Sequence, residues 1–203
     1  MRPYRPSDLP AFYDICVRTA DAGEDARGKY SSDALMGDLF AAPYAHMCPD
    51  LAFVLDDGGA AVGYIVGTAD TEDFVRRWRT EWLPGFAATY PPPAAPAGDP
   101  VRDPEQDMVA LGYRPEHMLG AQLAAAYPAH LHIDVLPPYQ GQGHGRRLME
   151  AFLAAVARAG APAVHLGMLT ANVKARAFYD RLGFIELPVA DPGPLTYLGR
   201  PTG

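Results

Sequence analysis

The segment Gln140-Gly141-Gln142-Gly143-His144-Gly145-Arg146-Arg147 follows a run that reads as a strand and opens one that reads as a helix. Glycine lets a backbone turn sharply and approach a ligand closely. The first turn of a helix presents unpaired N–H groups at the positive end of its dipole. A loop of this composition in this place can therefore hold a phosphate on its backbone, with Arg146 or Arg147 adding charge. Taken alone it supports two readings, an anion site or an ordinary turn. It is not a Walker loop, because no Gly-Lys-Ser/Thr follows, and its spacing does not match the dinucleotide fingerprint. His130 and His132 form a His-x-His pair that can ligate zinc, but no third or fourth ligand stands at a recognisable spacing, so no metal is expected.

Several elements must position that loop. Ser7-Asp8 precede Leu9, Phe12, Ile15, Cys16 and Thr19-Ala20, the spacing of a capped amphipathic helix. Residues 33–40 read as a second short helix. Leu51–Asp56 and Ala60–Thr68 read as strands joined by the hairpin turn Asp57-Gly58-Gly59. Residues 71–83 read as helical, Tyr90–Pro100 as a Pro/Ala-rich surface loop, and 104–126 as helical in part. Roughly 71–127 is expected to be an insertion between strands within a single domain, because its apolar content is sparse for a core of its own. Ala129–Leu136 reads as a strand. Strand alternation puts His132 and Asp134 on one face and Ile133 and Val135 on the other. The helix after the loop carries Leu148, Met149, Phe152, Leu153 and Val156 on one side and stops near Gly160 and Pro162. Ala163–Leu169 is a further strand, expected to lie parallel to 129–136 through a right-handed crossover. Asn172 can cap a helix running to Leu182 and ending at Gly183, and short strands are expected near Phe184–Pro188 and Leu195–Gly199.

The 203 residues suit one domain, and a 49% hydrophobic content can bury a core. The net charge is −7 and no Lys/Arg run exceeds the pairs Arg76-Arg77 and Arg146-Arg147, so nucleic acid is not an expected partner. An acidic surface is compatible with a cationic substrate such as an amine and equally with solubility. Cys16 and Cys48 are too few for a disulfide scaffold or a zinc site. The start MRPYRPSDLP has no apolar signal region, and no stretch approaches the ~20 apolar residues of a membrane helix. No membrane association and a cytoplasmic location are the expectation; oligomeric state is not legible.

Gln140-x-x-Gly143-x-Gly145 after a strand ending in Val135-x-Pro137 resembles the acyl-CoA signature of the GNAT N-acetyltransferase superfamily. Asn172…Phe178-Tyr179…Leu182-Gly183-Phe184 resembles that family's second signature, and the pair is more specific than either alone. A closer resemblance runs through Cys16–Ala26 (CVRTADAGEDA), Leu51–Asp70, Glu81–Phe86 (EWLPGF), His132–Val135 and Ala177–Gly183 to the C-terminal acetyltransferase-like domain of O-GlcNAcases. Because no glycoside hydrolase domain fits in 203 residues, the domain is expected to stand alone here. In the animal enzymes it is viewed as a pseudo-acetyltransferase whose glycine loop is lost, whereas this sequence keeps Gly141, Gly143 and Gly145. The implied fold is α/β (α+β), a mixed sheet of about six or seven strands flanked by helices. The implied cosubstrate is acetyl-CoA, held by Ile133, Val135, Gln140, Gly141, Gln142, Gly143, His144, Gly145, Arg146, Arg147, Asn172, Phe178 and Tyr179.

The chemistry this implies is direct attack of an amine on the thioester in a ternary complex. A freed backbone N–H at Val135 would polarise the thioester carbonyl. Tyr179 matches the family's phenol near the sulfur. A phenol titrates near ~10 and a thiol near ~8.5, so full proton transfer would be uphill by about 2 kcal/mol, and a hydrogen-bond donor is the expected role; the alternative is a packing tyrosine beside Phe178. Asp134 is expected to accept the amine proton, directly or through water, although a carboxylate near ~3.9 is a poor base unless burial or a relay helps; the alternative is a structural hydrogen bond. Further candidates on the acceptor side are His132, Asp70 and Trp82. Asp70 reads equally as part of a solvated helix start, and Trp82, one turn from Trp78, as core or lid packing. The competing class is an idle acyl-CoA-binding or protein-interaction module.

Overall fold

The structure, a computed structural model, describes residues 1–94 and 103–203. A short strand β1 (Arg2–Pro3) leads into α1 (Leu9–Val17), which buries Phe12, Ile15 and Cys16. The helix ends at Val17, so Thr19 and Ala20 lie in the loop beyond it. Helix α2 (Ala34–Phe40) is followed by α3 (Ala42–Met47), which the spacing did not announce because Ala41 interrupts the helical backbone between them. Strand β2 starts later than expected, at Phe53–Asp57, because Pro49–Leu51 form a 3-10 turn. It returns as β3 (Ala60–Thr68) through Gly58 and Gly59, both at positive φ, as a tight hairpin turn requires.

The next stretch is helical further than its sequence indicates: α4 (Thr71–Arg77), a π turn at Trp78–Trp82, and α5 (Leu83–Thr89). Pro84 sits in the first turn of α5, where its missing N–H costs nothing. The loop expected over Tyr90–Pro100 lies, from residue 95 on, outside the described residues. Helix α6 (Pro104–Gly112) is capped by Asp103, and α7 (Pro115–Met118) follows. The chain continues through β4 (Ala129–Val135), α8 (His144–Arg158), β5 (Ala163–Leu169), α9 (Val173–Asp180), β6 (Ile185–Glu186) and β7 (Leu195–Pro201).

The strands form one mixed seven-stranded sheet in the order β1-β2-β3-β4-β5-β7-β6. Among the described strands only β4 and β5 are parallel neighbours. Helix α8 covers one face under β2, β3 and β4, burying Leu148, Met149, Phe152 and Val156. Helices α1 and α3 cover the other face, where the Phe12 ring stacks on Tyr64 at 4.5 Å. Trp78, Phe86, Tyr90, Val109 and Leu119, all from the 71–127 stretch, join the same core as the sheet. Trp78 is fully buried and its Nε1–H donates to the Gly112 carbonyl at 2.9 Å. Trp78→Ala removes both a large packed volume and that donor, and is expected to lower unfolding free energy by about 3–5 kcal/mol in a denaturant titration.

Candidate functional site

The site originates in the sheet. Strand β4 pairs with β3 along its whole length, from Thr68↔His130 to Gly63↔Val135. With β5 it pairs only at Ala129↔Val164 and His130↔His165. Beyond His130 the two parallel strands part, and β5 stays with β7. The Leu136 N–H donates to Val62 O on the β3 side. Antiparallel alternation therefore turns the Ile133 and Val135 N–H groups toward the gap. A cleft of about 640 Å³ opens there, within the range of small-molecule sites.

The glycine loop forms the mouth of this gap. Gln140 Nε2 donates to Val135 O at 2.8 Å and Gln142 Nε2 donates to Pro138 O at 2.8 Å, pinning the loop to the strand end. Gly141 and Gly143 have φ of 72° and 80°, a left-handed backbone that side chains disfavour. Gly143 is also the N-cap of the fifteen-residue α8, and having no side chain it makes no capping bond to the first N–H groups. A Cβ on Gly145 would lie 3.1 Å from the Phe178 ring, so this glycine lets α9 approach the start of α8. The first N–H groups of α8 are thus available to an anion at the cleft. Arg146 lines the cleft. So do Lys174 and Arg181, which sequence reasoning did not single out.

At the inner end stand the two groups expected to do chemistry. Asp134 lies opposite Tyr64 in the β3–β4 register and accepts from its hydroxyl at 2.6 Å on Oδ2. Thr19 Oγ1 lies 2.9 Å from Oδ1. Burial pushes the Asp134 carboxyl above the usual carboxylate range, and the Tyr64 and Thr19 hydrogen bonds oppose that shift only in part. Tyr179 is buried against Phe184 and lines the same cleft. Burial, and then the nearby Asp134 charge, push its phenol well above the ordinary value. Asn172 accepts from the Ala175 N–H at 3.0 Å, capping α9 as its sequence position indicates, and it faces the cleft with Ile133, Val135 and Phe178.

The structure does not bring every expected residue here. Gln142, His144 and Arg147 do not line the cleft. The Gln142 side chain is tied to Pro138, and His144 Nδ1 pairs with Arg147 Nη2 at 2.5 Å on the outer side of α8. His132, expected as a substrate contact, lies deeper on the sheet face, its Nε2 3.1 Å from the Tyr44 hydroxyl. The same hydroxyl is 2.9 Å from His130 Nε2, and His130 Nδ1 is 2.8 Å from Thr71 Oγ1. Burial pushes His132 down to about 4 and His130 well below its ordinary value, so both rings are neutral members of a core hydrogen-bond chain. No group of three metal-ligating side chains occurs among the described residues. Asp70, expected on the acceptor side, sits at the opposite end of β3 and caps α4 through the Asp73 N–H at 2.9 Å. Trp82 donates to the Asp38 carbonyl at 3.0 Å, while the Asp38 carboxylate takes Tyr13 at 2.6 Å and Tyr90 at 2.9 Å. That cluster fastens the two ends of α5, at Trp82 and Tyr90, to α2 and lies outside the cleft lining.

Thr19, Ala22, Gly23 and Glu24 line the cleft and were not anticipated. The apolar spacing continued α1 through Ala20. The signal that marks the turn is Ala22-Gly23, which adopts φ of 53° and 95° and folds the chain back through an Asp21↔Glu24 bridge.

Comparison with known proteins points to one family. The model of the Acetyltransferase (GNAT) family matches residues 19–184. Among curated proteins, the Protein O-GlcNAcases of Rattus norvegicus and Mus musculus are each 23% identical over 202 residues, or 98% of this chain. The chain spans 22% of the length of those relatives. Among solved structures, SsHAT is 57% identical and superimposes over 100% of this chain and 97% of its own, with a TM-score of 0.92. The yncA protein of Salmonella typhimurium, solved with its cofactor acetyl-CoA, is 15% identical over 100% of this chain and 92% of its own. Its TM-score of 0.56 shows the shared fold.

Proposed function

Since this chain belongs to the acetyltransferase (GNAT) family, whose cosubstrate is acetyl-CoA, we propose that it transfers the acetyl group directly to a primary amine held beside Asp134 in a ternary complex. The observation that carries this reading is the parting of β4 and β5 above a glycine-loop helix start, with Asp134 and Tyr179 at the inner end. The first turn of α8 and its loop take the pyrophosphate, with Arg146, Lys174 and Arg181 supplying positive charge around it. Ile133 and Val135 border the slot for the pantetheine arm, and the Val135 N–H donates to the thioester oxygen as charge develops on it.

Asp134 removes a proton from the acceptor ammonium. Its raised pKa makes it a stronger base than an ordinary carboxylate, and its two donors favour the ionised form and offset part of that rise. Activity is therefore expected to fall as pH drops through the Asp134 pKa, at a pH above the ordinary carboxylate range. Deprotonating a lysine side chain near ~10.4 at pH 7 costs about 4.6 kcal/mol, and an α-amine near ~8 about 1.4 kcal/mol, so a carboxylate base favours α-amine acceptors. The Tyr179 phenol, too weak an acid to protonate the thiolate, donates a hydrogen bond to the leaving sulfur. The proton that neutralises the sulfur comes from the newly acylated nitrogen.

Tyr179→Phe keeps the packing against Phe184 and removes only the donor. In steady-state kinetics kcat is expected to fall about ten- to a hundredfold with KM for acetyl-CoA nearly unchanged, because the bond strengthens only as charge builds on sulfur. The reading as a whole is tested by following free thiol release over a panel of amines, α-amino peptides against lysine side chains. Turnover preferring α-amines supports it. Saturable acetyl-CoA binding with no thiol release from any amine would mark the chain as an idle acyl-CoA module.

A further inference from the structure

Thr19 presents an unequal count of donors and acceptors. Its hydroxyl oxygen lies 2.9 Å from the Ile15 carbonyl, 3.3 Å from the Cys16 carbonyl and 2.9 Å from Asp134 Oδ1. A hydroxyl has one hydrogen and two lone pairs, so it can serve only one of the two close acceptors at a time. Thr19 is buried, yet it lines the acetyl-CoA cleft beside Asp134. A buried group left without a partner is costly, which makes the alternation meaningful.

Resting on the reading of Asp134 as the base, we propose that the Thr19 hydroxyl is a two-position partner that hydrogen-bonds Asp134 both before and after it takes up the substrate proton. In the ionised state the Thr19 O–H donates to Oδ1. When the ammonium N–H bond breaks, its electron pair stays on nitrogen and the proton forms a bond to Oδ1. The new Oδ1–H donates to Thr19 Oγ1, and the Thr19 hydrogen swings to the Ile15 carbonyl, which α1 holds in place. After the amide leaves, the proton passes from Oδ1 to solvent through the cleft and the hydroxyl swings back. Neither state strands a buried donor, so proton uptake does not disturb the end of α1. Tyr64 is less suited to this. Its hydroxyl donates to Oδ2 at 2.6 Å, and its other hydrogen-bond partner is the Cys16 thiol, a weaker acceptor than a carbonyl.

Thr19 is thus a positioning residue for the base, and its signature is a pH profile. The titratable groups around Asp134 are Tyr64 on β3, Cys16 on α1, Tyr179 on α9 and the neutral His132 on its own strand, with Glu24 and Lys174 at the cleft mouth. The tyrosines and Cys16 stay protonated, since burial pushes each of them up. The acid limb of kcat/KM is assigned to Asp134, the carboxylate that touches Thr19.

Thr19→Val keeps the side-chain shape and removes the hydroxyl. It takes a donor from the carboxylate, so the acid limb is expected to move up by about one pH unit, a loss of about tenfold below the limb and little above it. Thr19→Ala should shift the limb alike, and Thr19→Ser should leave it at the wild-type position. Acid limbs of Thr19→Val and Thr19→Ala that coincide with wild type, whatever their turnover, overturn the proposal. Full activity in Asp134→Asn would instead remove the base reading beneath it, so the two failures are told apart by that variant.

Discussion

Asp134→Asn is expected to lower kcat/KM about 10²- to 10³-fold while acetyl-CoA affinity stays within about twofold. The amide keeps the size of the carboxyl and can still accept from Tyr64 or Thr19, so the architecture of the gap persists. It cannot take a proton. A structural aspartate would behave the other way, with folding impaired and turnover per folded molecule retained. The pH dependence of stability separates the cases further. The folded pKa of Asp134 lies above its unfolded value, so its contribution to stability is present below the unfolded pKa and is lost as pH rises through the folded one. Above its folded pKa the ionised carboxylate therefore works against the fold. The Asn variant removes that cost, and above the acid limb of activity its melting temperature should equal or exceed that of wild type. Calorimetry at one pH below that limb and one above it checks this: the difference between variant and wild type should grow toward the higher pH. A catalytic group held at the expense of stability is a recurrent feature of active sites.

The second large effect is expected at the loop. Gly143→Val should weaken acetyl-CoA binding about ten- to a hundredfold without unfolding the protein. Gly143 caps α8 at φ 80°, a backbone that costs a residue bearing a Cβ about 1–2 kcal/mol and a β-branched one more. Nothing lies within 4 Å of a Cβ at this position, so the substitution acts through the backbone and not through a clash. Escape from the left-handed region reorients the first N–H groups of α8, which are the groups offered to the phosphates. Titration calorimetry with acetyl-CoA measures the loss, and circular dichroism should show an unchanged fold. Unaltered affinity in a folded variant would place the phosphates elsewhere.

The sheet and the glycine-loop helix start were legible because their signals are local. Alternation in Ala129–Val135 assigns His132 and Asp134 to one face, and the structure keeps them there. The glycines of the loop and the Asn172 cap announce helix starts by residue type alone. The misplacements share a cause, which is that side-chain direction depends on partners distant in sequence. Whether His132 faces substrate or core is decided by Tyr44, and Trp82 is directed by Asp38; neither partner is marked by sequence spacing. Asp70 is of a residue type that could serve an amine, but its geometry is that of an N-cap, a role the Asp-x-x-Asp spacing already permits. The early end of α1 had the largest consequence, because it released Thr19 to reach across to Asp134.

The central claim is that acetyl-CoA occupies the gap between β4 and β5 through the glycine loop. Thermal unfolding with and without acetyl-CoA tests it most directly, run on wild type and Gly143→Val side by side. At a hundred times the dissociation constant, linkage gives about 2.7 kcal/mol, or about 5–10 °C for a chain of this size. The expected result is a rise of that order in wild type and a smaller one in Gly143→Val at the same concentration, about 1.4 kcal/mol for a tenfold and about 0.4 kcal/mol for a hundredfold weaker affinity. No shift in wild type, or the same shift in both proteins, would contradict the claim.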